Sequence, residues 1–128
     1  CGTGHSVSFV GNVHEGPHAL NGRNTVVFQP GMIVTDEPGV YEGGQVGIRI
    51  ENELMCVHKA DNQYGTFLGF EPIMFVPIAT SPVVPGVLTR DELDWLNNYH
   101  RQVFEKLAPR LNDEEREWLA KKCAAIGC

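Results

Sequence analysis

Apolar residues recur along this chain with two different periods. Between residues 31 and 78 they come in short runs at 32–37, 46–51, 53–58, 66–70 and 73–76, rich in β-branched and aromatic side chains. Runs of this length between turn formers predict strands, and their close spacing predicts an antiparallel sheet. Pro30-Gly31, Glu42-Gly43-Gly44 and Asp61-Asn62-Gln63-Tyr64-Gly65 mark turns, and Asn52-Glu53 predicts a tight one. Residues 1–30 read as a glycine-punctuated strand and loop, and residues 79–88 as an extended connector. From residue 89 the period lengthens. Thr89 and Glu92 form a capping box, and Leu93, Leu96, Tyr99 with His100, Val103 and Leu107 follow at helical spacing until Pro109 forbids continuation. A second helix opens at Asn112, with Glu115 in the box position. It turns Trp118, Leu119 and Cys123 inward and stops near Gly127. At this spacing Trp95, Tyr99, Phe104 and Trp118 predict core packing rather than binding.

Composition narrows the function. A chain of 128 residues is one domain's worth of material. No apolar run approaches the length of a membrane span. Ten Lys and Arg against 16 Asp and Glu argue against a nucleic-acid surface. The charges are also unevenly placed: the first 88 residues carry Arg23, Arg49 and Lys59 against eight acids, whereas the tail is balanced. An acid excess in the less charged region suits a cation site. Cys1, Cys56, Cys123 and Cys128 have no CxxC spacing, so a zinc ribbon is not indicated and free thiols in a cytoplasmic protein are expected. The opening Cys1-Gly2-Thr3-Gly4-His5, without an initiator methionine, predicts a piece of something longer.

The candidate chemistry sits at strand ends. Glu37 and Glu51 close two of the apolar runs, so two carboxylates from different strands can converge while the apolar residues bury behind them. With a histidine, such a pair suits a hard divalent metal. Of the three early histidines, His5 lies among small residues that leave its ring accessible and is the ligand candidate; His14 is a hydrogen-bond donor nearby; His18 is assigned to the surface. Glu71, before Pro72, is read as structural.

Four ordered segments carry a resemblance: Cys1-Gly2-Thr3-Gly4-His5, Asn12-Val13-His14-Glu15-Gly16-Pro17, residues 30–39 around Thr35-Asp36-Glu37-Pro38-Gly39, and Gly47-Ile48-Arg49-Ile50-Glu51-Asn52. Together they are similar to the catalytic domain of the Xaa-Pro aminopeptidases (aminopeptidase P), which belong with the pita-bread metallopeptidases. The tail 88–100 resembles the C-terminal extension of the long form. The resemblance implies an α+β chain, the C-terminal half of a pita-bread fold, with catalytic-domain residues at 1–80 and a helical extension at 81–128. It implies hydrolysis of the bond between an N-terminal residue and a following proline by a dinuclear centre, Mn2+ being the expected metal and Zn2+ or Co2+ the alternatives. His5, Glu37 and Glu51 would be metal ligands, with Glu37 also moving the proton of the attacking water. His5, His14 and Arg49 would contact substrate, and His14, Glu37 and Arg49 would be catalytic. Two further aspartate ligands of the family lie upstream of its GTGH motif, so this chain alone is expected to be inactive and to pair with an upstream half, or with a second copy as a homodimer. Cys1 stands where relatives carry histidine, and Ser6 and Ser8 where they carry glycine, which could narrow the approach to the pocket. The alternatives are a non-catalytic peptide-binding or dimerisation module and a prolidase-like dipeptidase.

Overall fold

A computed structural model describes residues 2–127, the side chain of Pro85 excepted; Cys1 and Cys128, with the expectations attached to them, lie outside the described residues. The chain divides into two compact units, Cys1–Met74 and Phe75–Cys128.

The first unit is antiparallel β structure. β1 (His5–Ser6) pairs with β2 (Glu15–Ala19), β3 (Ile33–Asp36) with β6 (Asn52–Asn62), β6 with β7 (Gly65–Pro72), and β4 (Gly39–Glu42) with β5 (Val46–Arg49). The strands of residues 31–78, expected in one sheet, are thus divided between two small ones, and β1 and β2 form a third. The β-branched run Ile33-Val34-Thr35 makes β3 the strand around which the unit is built: Val34 and Thr35 are both buried, so both faces of this strand are covered. Two expectations fail. Asn52-Glu53 is not a turn but the start of an eleven-residue strand, because Asp36 pairs with Asn52 and Thr35 with Glu53. Residues 73–76 form no strand, since β7 ends at Pro72, which cannot donate to a ladder. The other three turns fall where expected, with Gly31, Gly44 and Gly65 at φ of 91°, 73° and 131°.

His18 is a further correction. It is buried rather than superficial: its Nε2 lies 2.6 Å from the Ile33 carbonyl, and its ring meets Phe28 edge-on at 5.5 Å. Glu71 does have the structural role expected, accepting a 2.7 Å ion pair from Lys59 Nζ.

In the second unit, α1 (Arg90–Leu107) and α2 (Asp113–Lys122) carry complete capping boxes, Thr89 with Glu92 and Asn112 with Glu115. Tyr99, Val103 and Leu119 form the buried cluster, with Ile78, Phe104 and Leu107 packed on it. The stretch 76–78 is tied to α1: the Tyr99 hydroxyl donates to the Val76 carbonyl at 3.0 Å, and the Ile78 amide donates to His100 Nε2 at 3.1 Å. Trp95 and Trp118, expected in the core, are 59% and 57% exposed. Each lies on the flank of its helix; Trp95 stacks on Tyr99, and Lys122 reaches over Trp118. Among the described residues no helix is long and apolar enough to cross a membrane.

Candidate metal centre

The site grows from Thr35. Its buried hydroxyl accepts the His5 amide at 2.9 Å and donates to Glu37 Oε1 at 3.1 Å, while the Glu37 amide donates to the Thr3 carbonyl at 2.6 Å. These bonds lay β1 along the end of β3. Gly4 is buried at this crossing, where an added Cβ would meet the Thr35 carbonyl group. The glycine before the histidine therefore lets two backbones approach.

The result is direct contact between His5 and Glu37. His5 Nδ1 is 2.9 Å from the Ser6 carbonyl, which assigns it the proton, and Nε2 stands 3.0 Å from Glu37 Oε1. Two acceptors face each other there unless a proton or a cation lies between them. An imidazole whose Nδ1–H is held by a carbonyl and whose Nε2 faces a carboxylate is the arrangement metal-binding histidines adopt. His14, exposed, sets its ring edge-on to His5 with centroids 4.3 Å apart.

Arg49 closes the other side. Its Nη1 donates to Glu37 Oε2 at 2.9 Å and its Nε to the Tyr41 hydroxyl at 2.8 Å. Its hydrogen bond to the Tyr41 hydroxyl, with the charges of Glu37 and Glu51, holds the guanidinium above its ordinary pKa. Tyr41 was missed in the sequence reading although a signal existed. With Gly39 opposite Arg49 and Tyr41 opposite Gly47, alternation puts Tyr41 and Arg49 on one face of the β4–β5 hairpin. Both glycines are needed there, because a Cβ at Gly39 would strike the tyrosine hydroxyl at 2.5 Å and one at Gly47 its ring at 2.9 Å.

Glu51 is exposed, and its charge contributes to raising the Arg49 pKa. Among the described residues no three His, Cys, Asp or Glu side chains stand close enough to hold a metal ion. Ser6 is buried, its hydroxyl donating to the Gly16 carbonyl at 3.3 Å; it stitches β1 to β2 rather than narrowing a pocket. Ser8 accepts the Gly11 amide at 2.8 Å within its own loop. A cavity of about 770 Å3 lies on Pro17, Asn21, Arg23 and Thr25 and is lined by none of the candidate residues.

Comparison with known proteins gives this geometry its context. Residues 1–58 match the model of metallopeptidase family M24, and residues 66–126 match that of the C-terminal region of peptidase M24. The chain belongs to the M24 metallopeptidases. This M24 chain is 41% identical over 133 residues to a probable Xaa-Pro aminopeptidase P of Coprinopsis cinerea, covering 98% of the chain and 21% of the relative. It is 47% identical over 125 residues to aminopeptidase P2 of Arabidopsis thaliana, covering 92% and 18%. Its fold matches the crystal structure of X-prolyl aminopeptidase from Caenorhabditis elegans, described as a cytosolic enzyme with a di-nuclear active site, with a TM-score of 0.84 and 39% identity over 98% of this chain and 21% of that one. The chain thus spans about a fifth of the length of the curated relatives it matches. The antiparallel sheets followed by two helices are those of the C-terminal part of the pita-bread aminopeptidase fold.

Membership in a metallopeptidase family implies a divalent metal, and the residues present fit one in kind but not in number. An oriented imidazole nitrogen and a shielded carboxylate suit such an ion, but the described residues bring together two candidate ligands, not a full set.

Proposed function

We propose that this chain is the C-terminal part of the catalytic centre of an Xaa-Pro aminopeptidase, which removes an N-terminal residue that precedes proline. The observation that supports this reading is His5 Nε2 directed at Glu37 Oε1 at 3.0 Å, with Nδ1 tied to a backbone carbonyl. His5, Glu37 and Glu51 would hold divalent ions, Mn2+ in this reading, in company with ligands from the remainder of the protein. When bound, such ions supply the Lewis acidity that polarises the scissile carbonyl. The chain's own residues do the rest. Glu37 accepts the proton of the attacking water on a carboxylate oxygen and passes it to the leaving amine of proline. His14, exposed at the rim beside His5, donates to the substrate carbonyl oxygen as charge develops there. Arg49, held by Tyr41, keeps Glu37 oriented.

In this reading residues 1–80 belong to the catalytic domain and 81–128 to its extension. The substrates are peptides with proline second, the protein works in the cytoplasm as a homodimer, and this chain alone turns over little. The experiment is Mn2+ titration calorimetry, followed by release of the first residue from an Arg-Pro-Pro peptide, on the chain alone and combined with the upstream part of a relative. Binding and turnover in the combination, both lost in Glu37→Ala, are expected; turnover that survives this change would refute the assignment. A peptide-binding module is the second reading, favoured by the absence of a three-ligand group among the described residues. It predicts unchanged peptide affinity in Glu37→Ala and no turnover in any mixture.

A further inference from the structure

We propose that Ser81 is a phosphorylation site for a proline-directed protein kinase, and that the phosphate, once transferred, is held by Lys121 and Lys122 at the end of α2. The inference stands on the helical unit alone and does not depend on the metal centre.

The chain has eight prolines, and only Pro82 follows a serine or threonine. Proline has no N–H, and kinases that require it after the acceptor hydroxyl discriminate on that absence. The Val83 amide donates to the Thr80 carbonyl at 3.0 Å, so residues 80–83 close a turn with Ser81 and Pro82 at its central positions, both exposed. Exposed turns are where a modifying enzyme gains access.

Two cations line the same place. A cavity of about 370 Å3 is bounded by residues 76–81 together with Trp118, Lys121 and Lys122. Lys122 Nζ stands 5.7 Å from the centre of the Trp118 ring and has no ion pair among the described residues. Lys121 Nζ is 2.7 Å from Glu117 Oε1, with the two side chains 72% and 71% exposed. An ion pair this exposed contributes little, so Lys121 can exchange a carboxylate for a group of nearly twice its charge. In the transfer, Ser81 Oγ bonds to the γ-phosphorus of ATP and the bond from that phosphorus to the bridging oxygen breaks. ADP leaves, and the hydroxyl proton passes to the kinase's base. The phosphate brings three acceptor oxygens, enough for both ammonium groups. It fastens to α2 a connector whose first residues, Val76 and Ile78, are already tied to α1.

The test is treatment of the chain with a purified cyclin-dependent kinase, ATP and Mg2+, followed by peptide mass spectrometry. Phosphate is expected on Ser81 and is lost in Ser81→Ala. A chain left unmodified at Ser81, or modified equally at its other hydroxyls, overturns the site. A second measurement asks what holds the phosphate. Its 31P resonance should titrate about 0.5 pH lower than in the excised phosphopeptide, the scale of one exposed ion pair. The Tm read from the tryptophans of α1 and α2 should rise by roughly 2–5 °C on phosphorylation. Both changes should vanish when Lys121→Gln and Lys122→Gln are combined, with circular dichroism as the check that this variant is folded. A 31P titration that matches the free peptide, a Tm that does not rise, or changes that persist without the lysines overturns their role as the receiving pair.

Discussion

His100 should make the helical unit acid-sensitive in a way that a single substitution removes. The ring is fully buried, its Nε2 accepts the Ile78 amide at 3.1 Å, and its Nδ1 has no hydrogen-bond partner. Protonating Nε2 would set two N–H groups against each other and bury a charge. Burial accordingly pushes the pKa below the ordinary 6.5. The unfolded chain therefore takes up the proton first. Stability is complete above about pH 6.5 and is lost as the pH falls toward the folded-state pKa, with a slope of at most about 1.4 kcal/mol per pH unit. Between about pH 7.5 and 5.5 the loss integrates to at most about 1.4 kcal/mol, or roughly 5–10 °C in Tm for a unit of this size. Both tryptophans of the chain, Trp95 and Trp118, lie on α1 and α2, so their fluorescence during thermal unfolding reports this unit. His100→Gln keeps an acceptor for Ile78 without a group that titrates. The wild type should lose the stated Tm over this range and His100→Gln should not, beyond the background set by other histidines. Parallel losses in the two proteins would refute the argument.

Two further outcomes follow from packing. Leu119, 2% exposed and part of the cluster with Tyr99 and Val103, should cost about 2–4 kcal/mol when cut to alanine, measured by urea unfolding with the same fluorescence signal. Gly4→Ala forces a Cβ to within 2.9 Å of the Thr35 carbonyl carbon, so β1 must move off β3 and His5 with it. Mn2+ affinity should fall several-fold even where the variant stays folded, and unchanged affinity would show that the close crossing does not set the His5–Glu37 contact.

The helices were legible because each signal they need is local. Caps, period and the Pro109 stop all act within a few residues, and both capping boxes form with the residues expected. Orientation about the helix axis was not: a 3.6 period with apolar residues on a broad arc leaves Trp95 and Trp118 at its margins, and only the packing partner decides that Leu96 and Leu119 go in while they stay out. The strands were legible as runs but not as pairings. Asn52-Glu53 has turn composition, yet the ladder from Asp36–Asn52 to Ile33–Met55 makes it strand, since pairing with a distant segment outweighs weak local preference.

The site divides along the same line. Its residue types were readable, because glycine before histidine, glutamate at a strand end and arginine two residues before a glutamate recur in ordered segments. What alternation cannot supply is the crossing of separate pieces of chain: His5 reaches Glu37 only because Thr35, 30 residues away, holds the backbone of one and the carboxylate of the other. His18 was misjudged for the same reason, its partner being a carbonyl 15 residues on. Thr35, to which the sequence reading gave no role, therefore matters more than a residue without metal-binding chemistry would suggest. It fixes the His5–Glu37 pair from one side, while Arg49, bonded to both Glu37 and Tyr41, holds the carboxylate from the other.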